Sequence, residues 1–536
     1  MRSAVVAADP ASSAQKVAAA LDRTVASILR HERRYLFAAL AVFLLLALYQ
    51  CIVTPLWFDE FLTLFIARLP SAHAMLRAIP ADGQPPLQYF LTHPLLVWFG
   101  FSELVLRLPE VLAYMLAGLC AWRIARVHGN PIQALFATVS VMGGIAIYLA
   151  YTARPYEMLF AFTVAAFASW QAACLSVRRR ILPLAALTFF IAASIFTHYF
   201  GIIHIGVFLL AGEGTRILRR RRPDFPMLAA IVVGLLPLFI TAGMARQSSV
   251  LLRDAIRQST HFWARPSPLD LFSYGYMVPP ALLVATFALW FTHKPRFSDP
   301  RIGTPVPTVP VYEWAAVGAL CLLLPAQILI AYCVTGYSQP RYAISTSLGL
   351  ALLATWGLPR VPRLRPGIQP AMGIAAVSVL VLILCEVAVA QFHRQLWRPQ
   401  PAADAVSPVL SAVPPGSSPI VVANAFDYPA DWWYSPPPLR ERLIYLSDTE
   451  YAVRQSDFLP ELSLMADREV VPMPIAPYSA FVAGHPHFLL FCSGAARLDW
   501  TCSRLAHDGS WHLTLIGADS SGGLYRVDRN PEPEPK

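Results

Sequence analysis

The sequence predicts a polytopic α-helical membrane protein of about eleven transmembrane helices, with a small α/β domain at its C-terminal end. Hydrophobic residues make up 56% of the 536 residues and charged residues only 14%, whereas a soluble domain carries about 25% charged residues. The mean hydropathy is +0.51. This composition excludes a disordered chain, a collagen, a disulfide-stapled miniprotein and a purely cytosolic enzyme. The net charge of +10 does not indicate nucleic acid, because the basic residues cluster between apolar runs.

Nine apolar stretches predict one membrane span each. Each has about 17–23 residues, enough to cross roughly 30 Å of hydrocarbon at about 1.5 Å per residue. They lie near residues 35–55, 104–122, 132–150, 156–176, 226–244, 273–292, 313–333, 343–359 and 369–391.

A tenth stretch, residues 181–212, predicts two spans. Its roughly 32 residues would form about 48 Å of helix, which is too long for one crossing. Arginines 178–180 precede the stretch, and Arg216 with arginines 219–222 follows it. If both clusters are cytoplasmic, the chain crosses an even number of times between them. We therefore expect two short helices that turn at residues 197–200.

Basic residues orient the predicted spans, because they are concentrated on the cytoplasmic side of membrane proteins. Residues 1–34 are then a cytoplasmic segment without a cleavable signal pattern, and 35–391 are the transmembrane domain with a first outer loop at 56–102. Residues 392–536 are an outer linker and domain. The cytoplasmic clusters would be Arg30/Arg33/Arg34, Arg123/Arg126, the two clusters named above, Lys294/Arg296/Arg301 and Arg360/Arg363/Arg365.

After residue 392 the composition changes to a Pro-rich linker and then to short apolar runs typical of strands. Helices are expected between the strands, and a Pro-Glu tail ends the chain. The predicted strands are 420–422, 442–446, 487–491 and 513–516, and the predicted helices are 427–434 and 497–506. The pattern indicates an α/β domain.

Two of the eight cysteines, Cys492 and Cys502, lie in this domain. They would pair if their Cα atoms come within about 7 Å, although the run from Ser493 to Thr501 could instead hold them apart. The sequence has no Cys/His spacing typical of zinc sites, so we expect no metal.

The first outer loop begins with Trp57-Phe58-Asp59-Glu60. Ionisable residues at the membrane boundary are candidates for function, and neighbours on a helix point about 100° apart, so one acid can face a cavity while the other is structural. A carboxylate here suits a general base. The alternative is a pair of acids that stabilises the N-terminus of an interfacial helix.

Further polar residues in the loop are Gln84, Tyr89, Glu103 and Arg107. Gln84 precedes the prolines at 85–86, which favour extended structure before the next helix. Glu103 and Arg107 are spaced i,i+4 and can pair on one helix face, which favours a structural role for both.

Three cationic residues, Arg154, His198 and Arg341, are predicted on the same side of the membrane as Asp59. Guanidinium groups bind phosphate through two parallel hydrogen bonds, so an acid beside several cations could activate a hydroxyl while stabilising a departing phosphate. Each arginine alone is equally well explained as an interface anchor.

The motifs, taken in order, resemble the GT-C superfamily of membrane glycosyltransferases, over roughly residues 35–360. The branches concerned are bacterial relatives of protein O-mannosyltransferases, aminoarabinose transferases of lipid A, and Rgt-type lipopolysaccharide core transferases. The motifs are Trp57-Phe58-Asp59-Glu60, Pro85-Pro86-Leu87 with Tyr89, Ser102-Glu103 with Arg107-Leu108-Pro109, Ala153-Arg154-Pro155-Tyr156, Thr197-His198-Tyr199 and Arg341-Tyr342.

The resemblance implies an inverting enzyme that takes a sugar from a polyprenyl-phosphate donor. It implies that Asp59 is the base, with Glu60 beside it. On the chemistry of their side chains, Arg154, Arg341 and His198 would then bind the donor phosphate. The substrate-contacting or structural residues would be Gln84, Tyr89, Glu103, Arg107, Tyr156, Tyr199 and Tyr342.

Two positions depart from the family pattern. Gln84 stands where relatives often have His, and Thr152 stands where many have an acid two residues before the arginine of the fourth helix. If Thr152 replaces a second catalytic acid, Glu60 or Glu157 would have to compensate.

The sequence thus predicts a glycosyltransferase of the bacterial cytoplasmic membrane that needs no cofactor and binds no nucleic acid. The site would face outward, and the acceptor would be lipid A, lipopolysaccharide core, another glycan or a protein. A transporter or flippase for a lipid-linked or polar solute is the alternative, with the same charges lining its pathway. An envelope assembly protein that binds through its outer domain is a third hypothesis.

Overall fold

The computed structural model describes residues 22–176, 179–259, 264–292, 308–397, 406–455, 459–495 and 498–531. Several predictions fall outside these residues: most of the cytoplasmic segment, Arg178, the cluster Lys294/Arg296/Arg301, the middle of the Pro-rich linker and the Pro-Glu tail.

Helices form at every stretch that the sequence assigns to a membrane span. In chain order they are α1 (Glu32–Val53), α2 (Phe58–Ala67), α3 (Ala72–Asp82), α4 (Leu87–Phe99), α5 (Glu103–His128), α6 (Pro131–Met142), α7 (Ala146–Ala150), α8 (Tyr156–Leu175), α9 (Ile181–Thr197), α10 (Gly201–Arg220), α11 (Phe225–Gly234), α12 (Leu238–Gln258), α13 (Tyr274–Met277), α14 (Pro280–Thr292), α15 (Val311–Cys321), α16 (Leu323–Ile330), α17 (Thr346–Gly357) and α18 (Arg365–Trp397).

Six helical segments are long and apolar enough to cross a membrane, or up to eight if each of two bent helix pairs is one span; this count concerns the described residues. The six are Glu32–Val53, Glu103–His128, Tyr156–Leu175, Gly201–Arg220, Phe225–Ser248 and Gly367–Val389. Two shorter apolar helices, α6 and α9, add to these. The mainly helical architecture is confirmed, and the count of eleven spans stays a prediction.

The stretch 181–212 forms two helices, α9 and α10, as the arginine parity predicts. The amide of His198 donates to the carbonyl of Ser194 (3.2 Å), and that of Gly201 donates to the carbonyl of His198 (2.8 Å). A side chain at Gly201 would collide with the Ser194 backbone. Glycine therefore permits the close turn that carries His198.

The two bent pairs were not predicted. Residues 268–277 meet 280–289 at 72°, and residues 311–321 meet 323–335 at 49°. The second bend has a local cause: Pro325 has no N–H to donate to the carbonyl of Cys321, which accepts a hydrogen bond from the Tyr274 hydroxyl instead (2.6 Å). Both bends lie in the second half of the chain, so they do not form the matched pair of broken helices typical of inverted repeats.

The C-terminal residues form one six-stranded sheet, called here the C-terminal sheet. Its spatial order is β3-β2-β1-β4-β6-β5. Strands β3, β2, β1 and β4 run parallel to one another, and β6 is antiparallel to both β4 and β5. The strands are β1 (Ile420–Val422), β2 (Leu443–Ser447), β3 (Ile475–Pro477), β4 (His487–Cys492), β5 (Trp511–Asp519) and β6 (Gly522–Arg529). The helices around it are α19 (Pro408–Ser411), α20 (Tyr428–Tyr434), α21 (Pro437–Arg440), α22 (Thr449–Gln455), α23 (Leu459–Ala466), α24 (Tyr478–Gly484) and α25 (Trp500–His507).

All four predicted strands are present, and two further strands were missed. β3 has only three residues and ends in Pro477, and β6 begins with two glycines; both features weaken a strand signal in sequence. Cys492 at the end of β4 and Cys502 in α25 form a disulfide, with their Cα atoms 6.2 Å apart. The conditional disulfide prediction is therefore confirmed.

The C-terminal sheet packs against the first loop through aromatic side chains. Phe426 stacks on Phe58 with ring centroids 5.5 Å apart, and Trp433 contacts Phe61 at 6.1 Å. The Tyr434 hydroxyl accepts from the Leu56 amide (2.9 Å) and donates to Glu103 (3.0 Å). These contacts hold α20 beside the first loop.

Topology reporters test the predicted orientation. A reporter fused after Arg222 should report the cytoplasmic side and one fused after Gly416 the opposite side, because an odd number of crossings is predicted between them. A fusion after Arg126 is the cytoplasmic control. The same side for Arg222 and Gly416 would contradict the map.

Candidate functional site

A cavity of about 620 Å³ lies between the first loop, one end of the helical bundle and α23. Eight of the residues singled out in the sequence line it together: Asp59, Gln84, Arg154, Tyr156, His198, Tyr199, Arg341 and Tyr342. Their segments are far apart in the chain, and the fold brings them together at this cavity. The segments between the strands of the C-terminal sheet contribute Phe426, Leu459, Pro460, Leu462, Ser463, Ala466 and Leu498.

Asp59 lies in the first turn of α2, and its side chain is 21% exposed. Its carboxylate Oδ2 is 3.8 Å from Arg154 Nε and 3.6 Å from an Arg341 guanidinium nitrogen. Both distances exceed a normal hydrogen bond. The carboxylate is therefore held between two positive charges while it remains accessible from the cavity.

Arg154 is held by a carboxylate that the sequence analysis missed. Its Nη1 donates to both oxygens of Asp82, at 2.7 and 3.0 Å, and to the backbone carbonyl of Asp59 at 3.2 Å. The side chains of Arg154 and Asp82 are 4% and 1% exposed. Asp82 thus anchors the arginine from the first loop.

Asp82 ends α3, directly before Gly83, whose φ of 73° is left-handed. An acid followed by glycine is a common turn sequence. The sequence therefore did not indicate that Asp82 is part of the site. A carboxylate is unfavourable at a helix C-terminus, so its position requires compensation. Arg154 and the hydroxyl of Tyr89, which donates to Asp82, provide it. Burial nevertheless raises the pKa of Asp82.

Arg341 sits in a short 3₁₀ segment, Pro340–Ala343, and is surrounded by aromatic rings. Its guanidinium carbon is 4.9 Å from the ring centre of Tyr156, 5.5 Å from that of Trp57 and 5.9 Å from that of Tyr342. Within the described parts of the chain, Nε of Arg341 and Nε of Arg154 have no hydrogen-bond partner. Both arginines therefore retain a donor for an anionic ligand.

His198 lines the cavity, and its contact with the donor phosphate stays a prediction. Its ring packs against Tyr156 and Tyr342, each 5.4 Å away between centroids, and its Nδ1 accepts from the Phe200 amide (3.1 Å). Burial, followed by the positive charges of neighbouring side chains including Arg154, holds the pKa of His198 well below its usual range. A neutral imidazole would meet a phosphate as a hydrogen-bond donor through Nε2, which has no partner among the described residues, and not as a cation.

Glu60 points away from the cavity and is fully buried with Arg107. Arg107 Nε and Nη2 each donate to the Glu60 carboxylate at 2.7 Å, and Arg107 also donates to the carbonyls of residues 51, 54 and 55. Glu60 in turn accepts from the Ala153 amide (2.7 Å). Of the two adjacent acids, Glu60 is therefore the structural one.

The predicted i,i+4 pairing of Glu103 with Arg107 is wrong. Arg107 pairs with Glu60, and Glu103 accepts from the Tyr434 hydroxyl instead. Arg107 thus binds Glu60, which is 47 residues away in the chain, and not Glu103 on its own helix. Tyr89 lies behind the cavity wall, bound to Asp82.

Thr152 stands where many relatives have an acid, and neither acid expected to compensate for it, Glu60 or Glu157, lines the cavity. The Thr152 hydroxyl donates to the carbonyl of Tyr148 (2.8 Å). Glu157 is fully buried in α8 and does not line the cavity. Asp82 is the second carboxylate of this cavity.

No protein-family profile and no curated protein sequence matches the chain. Among solved structures, ArnT from Cupriavidus metallidurans bound to undecaprenyl phosphate is similar with a TM-score of 0.55 at 15% identity, covering 91% of this chain and 97% of ArnT. Its apo state gives a TM-score of 0.55 at 14% identity, with the same coverage. ArnT, an aminoarabinose lipid A transferase, is a GT-C protein. The chain has the GT-C fold.

A more distant GT-C structure is AglB, the archaeal oligosaccharyltransferase from Archaeoglobus fulgidus, in complex with an inhibitory peptide and a dolichol-phosphate. It is similar at a TM-score of 0.39 and 10% identity, over 92% of this chain and 74% of AglB. The fold assignment rests on ArnT.

Replacing Glu60 by Gln should destabilise the protein strongly. It leaves the buried Arg107 without its counter-charge, and breaking a buried ion pair typically costs about 3–5 kcal/mol. Thermal unfolding in detergent should show a large fall in Tm for Glu60→Gln and little change for Asp59→Asn. Glu450→Gln, which removes an exposed pair with Arg454, is the control. An unchanged Tm in Glu60→Gln would contradict the structural role.

Proposed function

We propose that this protein is an inverting glycosyltransferase that moves a sugar from a polyprenyl-phosphate donor to an envelope acceptor. The observation that supports it best is the carboxylate of Asp59 beside the guanidinium groups of Arg154 and Arg341 in one cavity. A base close to two phosphate-binding groups is the combination that glycosyl transfer from a phosphate-linked sugar requires.

In the proposed reaction, Asp59 takes the proton of an acceptor hydroxyl as that oxygen attacks the anomeric carbon. The bond between the anomeric carbon and the phosphate oxygen breaks, and its electron pair stays on the phosphate. Attack opposite to the leaving group inverts the anomeric configuration. The sugar and its acceptor gain one glycosidic bond, and the carrier leaves as polyprenyl phosphate.

The charge of the phosphate grows during this step, from about −1 in the diester to as much as −2 in the departing monoester. Arg154 and Arg341 stay charged at all physiological pH values and are already in position. Arg154 is fixed by Asp82 and Arg341 by its aromatic neighbours. Positive groups fixed in advance stabilise developing charge without reorganising, and this stabilisation usually contributes most of the rate enhancement in such catalysis.

The donor class is supported by the fold and by the position of the cavity. The similar ArnT structure holds undecaprenyl phosphate. In this chain, Val334 lines the cavity and is itself an exposed apolar residue. We propose that the carrier chain stays in the membrane while its phosphate reaches the arginines, so that no nucleotide-binding domain is needed.

The acceptor class and location are also proposals. The acceptor would be lipid A, lipopolysaccharide core, another glycan or a protein. The domain division is proposed as a cytoplasmic segment at 1–34, a transmembrane domain at 35–391 and an outer region at 392–536. The site would face outward from the bacterial cytoplasmic membrane.

Transfer assays with Asp59 variants test the proposal. Purified protein in detergent is incubated with a panel of synthetic polyprenyl-phosphate sugars, radiolabelled in the sugar, and with envelope glycolipid extract. Asp59→Asn keeps the size of the side chain but removes the base, so turnover should fall by about 10²–10⁴ while donor binding persists.

Gel filtration and donor binding serve as controls for the fold of Asp59→Asn. Wild-type turnover in a folded Asp59→Asn protein would exclude Asp59 as the base. Movement of the lipid-linked sugar across vesicles without covalent transfer would instead support a transporter.

Arg341→Ala should reduce turnover by about 10²–10³, the loss typical when one fixed donor to a developing oxyanion is removed. Arg341→Lys should restore only part of it, because Lys lacks the planar fork and stacks less well on aromatic rings. Steady-state kinetics with the best donor measures both. Equal turnover in wild type and Arg341→Ala would return Arg341 to a purely structural role.

A further inference from the structure

Gln84 lines the cavity but has no role in the reaction above. Its side chain is buried, with the residue 8% exposed, and among the described residues Oε1 of its amide has no hydrogen-bond partner. A buried amide oxygen without a donor is unfavourable in a folded protein. The amide of Gln84 is therefore placed to bind a polar group of a ligand in the cavity.

The local backbone fixes where this amide lies. Gly83, which ends α3, has a left-handed φ of 73°, and Pro85 restricts the backbone of the residue before it to extended conformations. Asp82, two residues before Gln84, accepts from Nη1 of Arg154 at 2.7 and 3.0 Å. The short turn that anchors Arg154 thus also carries Gln84. A sugar attached directly to a phosphate at Arg154 would lie beside this amide.

The hydrogen-bonding pattern of an amide fits a hydroxyl group. The amide accepts through its oxygen and donates through its nitrogen, and a hydroxyl group likewise does both. The ammonium group of an amino sugar only donates, and the carboxylate of a uronic acid only accepts. Either charged group would therefore satisfy one half of the Gln84 amide and leave the other half unpaired.

The charges of the lining disfavour a positively charged sugar. The charged side chains that line the cavity in the described part of the chain are those of Arg154, Arg253, Arg341, Asp59 and Asp82. Asp82 is 2.7 Å from Arg154, and Asp59 lies between Arg154 and Arg341. Arginines thus outnumber carboxyl groups, and each carboxyl group is already beside an arginine. An ammonium group would meet repulsion without a counter-charge of its own.

Two further buried acids lie close to these residues but outside the lining. Glu60 is paired with Arg107, and neither Glu60 nor Asp467 lines the cavity. Burial raises the pKa of Asp467 well above its usual range, which favours its uncharged form. The negative charge of the donor phosphate offsets the excess of arginines, so the sugar itself needs no charge.

We propose that Gln84 binds a hydroxyl group of the donor sugar, and that the site therefore selects a neutral, hydroxylated sugar over an amino sugar or a uronic acid. This inference rests on the proposed function and names the substrate class of that site. Gln84 is then a residue that determines specificity, whereas Asp59, Arg154 and Arg341 carry the chemistry.

Matched donors test this selection in the full-length protein in detergent. One set consists of a polyprenyl-phosphate pentose and its analogues in which each hydroxyl group in turn is replaced by hydrogen or by an amino group. A hexose donor and the corresponding uronic acid form the second set. The neutral hydroxylated donors should have the highest kcat/KM. Replacement of the hydroxyl group that contacts Gln84 should cost about 10–100-fold, the effect of leaving one buried hydrogen-bonding group unpaired.

Two variants connect the selection to Gln84. Gln84→Glu keeps the size of the side chain but presents a carboxylate, so the ratio of kcat/KM for the amino donor to that for the neutral donor should rise by at least about tenfold. In Gln84→Leu, removal of the same hydroxyl group should cost nothing further, because the contact is already absent. Gln455→Glu, which changes an exposed glutamine outside the cavity, should keep the wild-type ratio. Gel filtration checks the fold of each variant.

Isothermal titration with the same donors measures specificity without turnover. If the neutral donor binds best and Gln84→Glu shifts binding toward the amino donor, but no sugar is transferred, the proposed function fails and Gln84 stands as the residue that binds the sugar. If sugar is transferred but wild type prefers the amino or uronic donor, this inference is overturned and the proposed function stands. An unchanged donor ratio in folded Gln84→Glu overturns it equally.

Discussion

The buried ion pair between Glu60 and Arg107 is the interaction on which the candidate site depends. It ties the start of α2 to α5, and through the Ala153 amide it also holds the loop that carries Arg154. Because Asp59 is adjacent to Glu60, the same pair fixes the distance between Asp59 and the arginine. Arg107 reinforces this by donating to three carbonyls at the end of α1. One structural acid thus positions its neighbour Asp59, the proposed base.

Buried charges impose the second constraint, because each is costly unless its partners are in place. Arg154 has Asp82 on one side and Asp59 on the other, and Arg341 lies among aromatic rings. These partners come from the first loop and from different helix ends. The cavity can therefore form only when these segments assemble together. Phe426 and α23, which flank the C-terminal sheet, form one of its walls.

The sequence predicted the helical architecture and four strands. It also predicted that Asp59, Arg154 and Arg341 lie near one another, because motifs at the same ends of membrane helices share one depth. It did not predict Asp82. This residue is a short acid at a helix end that resembles a turn, and its importance arises from Arg154, which is far away in the chain. Local spacing likewise indicated a wrong partner for Arg107. The bent helices were missed because a proline within a span does not by itself show whether the helix bends, ends or continues.

The central claim is a single displacement in which Asp59 is the base and polyprenyl phosphate is the leaving group. The most direct measurement is the anomeric configuration of the product, read by NMR after transfer from a polyprenyl-phosphate sugar labelled with ¹³C at the anomeric carbon. The account predicts that the product has the opposite configuration to the donor. Retention of configuration, or transfer that persists unchanged in Asp59→Asn, would contradict it.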